Sequence, residues 1–327
     1  MRRFPILRLP LVALQEVLKC INPIHLFLLS QCSTRLAGLV SIANTHKWKL
    51  TITGNRHIEI NGNYYIEIAK KVLRNQGLPF KIGPQNQEII VEGALIPSIT
   101  PSMIFYVENR VDGLLNVAFH LSTLFKCGIK RFVIPRGLYE DHSVLILCKI
   151  AQHQGNTIEE LVFNRFSTLK ELKWVMNHII VTKKLKVYGD LQEEFVFNQS
   201  PKKISINAGS WVTMDTLKSL TSSFMITVSG AKLFSRDLDE FVGLWKAGMF
   251  SKLDFLRVQG SPLRGEIAGF TMEQHQSERN DRRIKKLDGC DEWICNGGVD
   301  IERGDGRTKA TIQVFSDSDF MFFVWKD

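Results

Sequence analysis

KKISINAGSWVTMDTLKSLTSSFMITVSG, residues 202–230, changes periodicity twice. KKISINAG (202–209) sets Ile204 and Ile206 between polar neighbours at period two, the pattern of a half-buried strand. Met214 to Leu220 carries apolar residues at helical spacing, and FMITVSG (224–230) returns to period two. The stretch therefore reads strand, helix, strand.

The same rhythm extends in both directions. Upstream, helices are expected over Leu114 to Lys126, His142 to His153 and Leu169 to Ile180. The strands between them are IKRFVIP (129–135), IEELVFN (158–164) and KKLKVYG (183–189). Downstream come a helix over Arg236 to Ala247 and the strand LDFLRVQG (253–260). The strands share a form: a charged residue, then alternating Leu, Ile, Val or Phe, then Asn or Gly. They recur at roughly 20–30 residues, the range of leucine-rich-type repeats. One strand-plus-helix unit cannot bury its own apolar face, whereas stacked units form a parallel sheet covered by helices on one side. Right-handed connections are expected, with the other face of the sheet and the strand-end loops left as a long exposed surface. The strict leucine-rich consensus is missing, so a compact three-layer α/β domain with the same elements stays open as a second arrangement. The chain holds no GxxxxGK[ST], no GxGxxG after a strand and no GxSxG, which are the usual marks of an enzyme of that architecture.

Before the repeats the pattern is different. WKLTITG, HIEIN and YYIEIA alternate at period two between His46 and Ile68, separated by Gly54-Asn55 and Asn61-Gly62. Asn-Gly is a strong hairpin signal, so a small antiparallel sheet is expected. Lys70 to Pro101 is less regular; EIIVEGALI reads as a strand, and Pro97 and Pro101 punctuate a loop.

The first residues are helical in pattern. Arg8 and Pro10 interrupt the apolar run that a secretory signal would need, and no small-residue cleavage site follows. Ile24 to Leu29 is too short to span a bilayer. Leu11, Leu14, Val17, Leu18 and Ile21 recur at three- and four-residue spacing behind Pro10. Asn22-Pro23 reads as an N-cap and first helical residue, opening a second helix that carries Leu26 and Leu29 and continues to Leu36, Leu39 and Val40. Two short helices have more apolar surface here than they can bury against each other. Spacing leaves two readings open: another polypeptide covers the excess, or the rest of this chain does.

FPILRLPLVALQEVLKCINPIHLFLLSQCSTRLAGL (4–39) closely resembles an F-box, and among F-boxes the expanded nematode family. The resemblance rests on Phe4-Pro5, Leu7-x-Leu9-Pro10, Val17-Leu18, Asn22-Pro23, Leu26, Leu29-Ser30 and Cys32-x-x-Arg35. One departure is the absence of a Trp soon after Arg35; the nearest is Trp48. The resemblance implies docking on a Skp-type adaptor, and through it on a cullin, by an apolar face. Its expected residues are Phe4, Leu7, Leu9, Pro10, Leu14, Val17, Leu18, Pro23, Leu26, Leu29 and Ser30.

At the other end VDIER and TKATIQVF alternate around Gly304-Asp305-Gly306, and Phe320 to Trp325 makes a third strand. A hairpin plus an edge strand is expected, capping the sheet. Gly-Gly-x-Asp-Ile-x-Arg-x-Asp-Gly (297–306), Ala310-Thr311-Ile312 and the closing FVW resemble the end of the F-box-associated domain, type 2, with the likeness running from about Phe105 to Trp325. Residues 265–293 are long and charged and read as a mobile surface loop. RRIKK (282–286) reads as a solvated charge run, with a nuclear address as the other possibility.

Composition adds exclusions. The net charge is +9, but the basic residues are scattered among acids and lack the clustered footprint of nucleic-acid binding. Cys20, Cys32, Cys127 and Cys148 lie on apolar stretches, and Cys290 with Cys295 lacks a second pair at zinc spacing. The eight histidines stand singly, so no catalytic arrangement can be defended. Asp237, Asp239 and Glu240 fall at a helix N-terminus, where the macrodipole favours acids. Trp174, Trp211 and Trp245 either pack between helix and sheet or line a recognition face.

The fold expected is α/β (α+β overall): a helical F-box over 1–44, a small β region over 45–104 and a leucine-rich-like repeat domain over 105–327. No catalytic residue, metal, cofactor or membrane contact is expected. The function implied by the resemblance is a non-enzymatic substrate adaptor of a ubiquitin ligase, cytoplasmic and/or nuclear, binding a protein substrate through the repeats. The alternative is a protein-interaction scaffold independent of ubiquitination.

Overall fold

The alternation around Ile204 and Ile206 becomes an ordered run of parallel strands in the computed structural model. It describes residues 8–43, 45–72, 77–83, 89–96, 102–135, 142–164, 169–189, 191, 193–276, 278–287 and 291–326. The chain divides into two units, Met1–Ile158 and Glu159–Asp327.

The first unit opens with α1 (Leu11–Lys19), α2 (Pro23–Cys32) and α3 (Thr34–Val40). The Asn22 side chain accepts the His25 N–H at 2.9 Å, and Pro23 occupies the first turn of α2. The single helix expected through Val40 is two. Ser33 is extended at φ −168° and ψ 154°, and its hydroxyl accepts the Leu36 N–H at 3.2 Å. A serine in that conformation caps a new helix and stops the old one.

Three strands follow: β1 (Leu50–Thr53), β2 (His57–Ile60) and β3 (Tyr64–Lys70). They form the antiparallel meander read from the alternation. Asn61 and Gly62, both at positive φ (55° and 79°), make the turn between β2 and β3 that matches the natural twist of a hairpin. The reading missed two strands, β4 (Leu78–Ile82) and β6 (Ser102–Val107), which flank β5 (Ile89–Ile96) in the sheet. SMIFYV does alternate, and Met103, Phe105 and Val107 are buried. Its pairing is long-range, parallel to β3 and antiparallel to β5, which local pattern cannot supply. Pro97 and Pro101 lie outside the described residues. Then come α4 (Arg110–Phe125), capped by Asn109, β7 (Ile129–Ile134), parallel to β1, and α5 (Ser143–His153). The helical module and the connecting β region thus share one unit with α4, β7 and α5.

β8 (Thr157–Phe163) stands at the boundary, followed by α6 (Leu169–His178), β9 (Ile180–Tyr188) and β10 (Lys203–Asn207). After these come α7 (Met214–Lys218), β11 (Met225–Ala231), α8 (Ser235–Lys246) and β12 (Phe255–Gly260). β9, β10, β11 and β12 pair in parallel, and the strand order from β8 to β12 follows the chain without reversal. A doubly wound domain reverses its order at a switch point; this unit does not, and it stacks in the manner of a solenoid. Right-handed crossovers in a sheet that grows in one direction put the helices on one face. The burial agrees: Leu185, Val187, Ile204, Ile206, Ile226 and Val228 are buried, and their alternating neighbours are half-exposed.

The described residues of 265–293 form regular secondary structure, where a mobile surface loop was expected. They contain β13 (Glu266–Ile267), β14 (Phe270–Thr271), α9 (Met272–Gln276), β15 (Glu278–Leu287) and the start of β16 (Asp291–Gly297). Trp293 and Cys295 of β16 pack on Phe255 and Phe323, with Met225 and Trp325 alongside. The β15–β16 hairpin therefore covers one part of the second sheet face. Trp293, Ile294 and Cys295 are an apolar island in a charged segment, and that island anchors it.

The chain ends with β17 (Val299–Glu302), β18 (Lys309–Ser316) and β19 (Asp319–Trp325). Phe320 to Trp325 was expected at the edge; β19 instead lies between β18 and β12, and β17 is the outer strand. The run DFMFFVW is buried on both faces. A continuous apolar run without alternation has no solvent side and belongs inside a sheet.

The pattern over 297–306 is structural throughout. Gly298, at φ +91°, sits where a Cβ would come 2.2 Å from the Ile312 carbonyl oxygen. Asp300 accepts the Thr311 hydroxyl at 2.6 Å, and the Trp325 indole N–H donates to the same hydroxyl at 2.8 Å. Arg303 is 8 % exposed; its guanidinium lies over the Trp245 ring at 4.6 Å. It donates to the carbonyls of Trp245 (3.2 Å), Met249 (3.3 Å) and Phe250 (3.2 Å) at the end of α8. Asp305 accepts the Arg307 and Thr308 N–H groups at 2.9 and 3.0 Å and shapes the turn. Those bonds, Thr308 first, hold its carboxyl below the usual carboxylate range.

Candidate docking site on the N-terminal helices

α1 is amphipathic in a way that divides the expected docking residues. Leu14 and Leu18 point inward, at 4 and 1 % exposure. Pro10 and Val17 are exposed and Leu9 is half-buried. On α2, Pro23, Leu26 and Ser30 are buried and Leu29 is half-buried. Ser30 spends its hydroxyl on the Phe27 carbonyl at 2.6 Å. Phe4 and Leu7 lie outside the described residues. The structure therefore brings Leu9, Pro10 and Val17 to the surface and keeps Leu14, Leu18, Pro23, Leu26 and Ser30 within the chain's own core.

The surface of α1 carries two further residues, Leu11 and Val12, at 64 and 72 % exposure. They follow Pro10 directly and have no counterpart on the buried stripe. The signal for them is two apolar residues in succession at a helix start, since only one of two neighbours can face inward. Glu16 and Lys19 pair at 2.7 Å farther along the helix. The exposed apolar start of α1 is thus bordered by charge, the profile of a protein contact.

α2 is held from below. Phe27 meets Phe80 and Phe105 with ring centroids at 5.7 Å each, and His120 at 5.9 Å. Phe80 and Phe105 close the set at 5.8 Å. The Lys81 N–H donates to the Gln31 side chain at 2.8 Å. Thr45 donates to the Phe125 carbonyl at 2.6 Å, and Trp48 packs on the Phe125 ring at 4.9 Å. Trp48 thus anchors the exit from the helices on α4. Of the two open readings, cover by the chain itself holds for α2, whereas among the described residues none covers the start of α1.

In the second unit a cleft of ≈ 340 Å³ opens among Leu191, Glu193, Glu194, Ser210, Trp211, Thr213 and Lys232. It lies beyond the carboxyl ends of β9, β10 and β11. Trp211 is buried and donates its indole N–H to the Gly189 carbonyl at 3.1 Å. Trp245 is fully buried, and Trp174 is 40 % exposed and stacked on His178. Asp237 accepts the Phe234 N–H at 2.8 Å, Asp239 the Ala268 N–H at 2.8 Å, and Glu240 pairs with Lys218 at 2.8 Å. These carboxylates cap α8 and fasten β13 and α7 to it. Burial pushes the Cys127 and Cys148 thiols up to about 11, away from thiolate chemistry. Among the described residues no group of three or more His, Cys, Asp or Glu side chains comes together as a metal site. No described helix is long and apolar enough to cross a membrane.

Comparison with known proteins agrees with this geometry. Residues 6–48 match the F-box domain, which ends on Trp48. Residues 191–258 match the F-box associated family. That second match runs from the cleft through β12, a shorter span than 105–325, and does not include the Gly297–Gly306 pattern. An uncharacterized protein of Caenorhabditis elegans is 24 % identical to the chain over 98 % of its length and 79 % of the relative's. No solved structure matches the chain.

Proposed function

We propose that this chain, an F-box protein with its F-box at residues 6–48 and an F-box associated domain at residues 191–258, is the substrate-recognition adaptor of a Skp-cullin-F-box ubiquitin ligase. Both domains are of adaptor type and neither carries out catalysis. The observation that carries the finer reading is the apolar surface that the described residues leave exposed on α1, Leu11 and Val12 with Pro10 and Val17 and the half-buried Leu9, on a helix whose other side is sealed. A Skp-type adaptor, linked in turn to a cullin, covers that start. The second unit holds a protein substrate, in the cytoplasm and/or nucleus. Holding two partners on one chain raises the effective concentration of substrate lysines near the ubiquitin-loaded enzyme, and that proximity is the mechanism.

Co-precipitation with a Skp-type adaptor tests it. Leu11→Asp with Val12→Asp is expected to abolish capture while leaving the melting temperature unchanged, because surface substitutions typically stay within about 0.5 kcal/mol. Undiminished capture by the folded double variant would defeat the docking assignment. The second reading, a scaffold outside ubiquitination, draws on the burial of α2 against Phe80 and Phe105. It gains if the unaltered chain captures no adaptor.

A further inference from the structure

The cleft at the carboxyl ends of β9, β10 and β11 takes its order from the sheet beneath it. Tyr188 at the end of β9 stands opposite Asn207 at the end of β10, and Ile206 stands opposite Val228 on β11. The loops that follow are therefore ranked as their strands are. Leu191, Glu193 and Glu194 come from the loop after β9, and Ser210, Trp211 and Thr213 from the loop after β10. Lys232 directly follows β11. Adjacent strands lie about 4.8 Å apart, so the two outer loops spring from points roughly 10 Å apart.

Charge is sorted along that line. Glu193 and Glu194 are exposed on the β9 side, and Lys232 is exposed on the β11 side. None of these three side chains forms an ion pair with a described residue. They share one cleft and still do not pair with each other, with the β10 loop standing between them. That middle is fixed. Trp211 is buried, donates to the Gly189 carbonyl at 3.1 Å and has the Phe195 and Phe197 rings at 6.4 Å each. The Thr213 hydroxyl accepts the Thr216 N–H at 3.4 Å and starts α7. The described lining falls wholly within residues 191–258, the span that matches the F-box associated family. Binding groups concentrate on such loops, where a rigid scaffold holds them.

We infer that this cleft takes a short extended stretch of the protein partner bearing one basic and one acidic side chain two positions apart. The basic side chain meets Glu193 and Glu194, and the acidic one meets Lys232. Side chains two positions apart share one side of an extended chain at about 7 Å, and their own length spans the rest. A volume of ≈ 340 Å³ is near the lower end of ligand sites, about 300–1,000 Å³, and suits side-chain tips. Opposite charge at the two ends selects a partner of the opposite polarity. This deepens the adaptor reading by naming the chemistry that the second unit recognises, and it rests on that reading for the partner's fate.

Fluorescence anisotropy with the full chain tests it. The probes are short labelled Gly- and Ser-based peptides with one Arg and one Glu two positions apart, in both orders. Saturable binding of at least one order is expected. Placing the two charges on adjacent residues, which face opposite sides, should weaken it. Glu193→Gln with Glu194→Gln, or Lys232→Gln, should weaken it about tenfold or more, as loss of a charge-assisted hydrogen bond does. The Lys232→Gln loss should vanish when the Glu of the peptide is replaced by Gln. Lys173→Gln, on an exposed position of α6, makes the same change in net charge and should leave binding unaltered. No saturable binding of either order overturns the inference, as does equal loss in the Lys173→Gln variant. Equal binding of the adjacent-charge peptide or of the Arg-only peptide also overturns it. The Lys232→Gln variant should still co-precipitate the Skp-type adaptor. A chain that captures the adaptor and binds no peptide fails this inference alone; one that binds the peptide and captures no adaptor fails the adaptor reading.

Discussion

Arg303→Ala is expected to lower the unfolding free energy of the second unit by about 3 kcal/mol or more. The guanidinium is nearly sealed from solvent and serves three carbonyls around the end of α8. The Trp245 carbonyl lies in the last turn of α8 and also accepts the Gly248 N–H, and the Phe250 carbonyl also accepts the Leu253 N–H. Removal of the guanidinium therefore strips the Met249 carbonyl most directly, and an acceptor left without a partner costs about 1–3 kcal/mol. The cation also meets the negative end of the helix dipole and the face of Trp245. Arg303→Lys should recover only a minor part, because an ammonium cannot reach several carbonyls and lie flat on an indole at once. Urea denaturation followed by tryptophan fluorescence measures both. A loss below about 1 kcal/mol for the alanine variant would show that water replaces the guanidinium at no cost, and the structural account of the 297–306 pattern would fall with it.

Phe27→Ala should cost the first unit about 3–5 kcal/mol, the usual toll for emptying a fully buried aromatic site. Phe27 is fully buried and meets rings from β4, β6 and α4. Its loss is felt in the sheet as well as in the helices. For the same reason a chain starting at residue 46 should be poorly soluble, since Phe80 and Phe105 lose their cover. Leu11→Asp with Val12→Asp, a few residues away, should leave stability as it was. A Phe27→Ala variant that melts with the unaltered protein would mean that the N-terminal helices form a free-standing module with its own core.

Much of this was legible in the residues. The period-two runs at Ile204/Ile206 and Ile226/Val228 gave strands, the Asn22-Pro23 pair gave a helix start, and Asn61-Gly62 gave a hairpin turn, because each rests on local chemistry. What escaped was long-range. β6 exists through its pairing with β3 and β5, and β19 is interior because β12 lies on its other side. The charged stretch 265–293 concealed Trp293 and Cys295, whose value depends on Phe255 standing beneath them. The docking residues show the same limit. Helical spacing puts Leu11 and Val17 on one stripe with Leu14 and Leu18, and only the fold separates the two that face out from the two that are buried.

The unreversed succession from β8 to β12 has a bearing on change over evolutionary time. Each strand pairs only with its immediate companions, so an exchange at Lys186 or Ser205 alters one lane of the sheet surface without disturbing the lanes farther along. The surface chemistry of the sheet can drift lane by lane in such a protein. The helix bolted down by Phe27 has no comparable liberty, and it is the part expected to hold still while the rest diversifies.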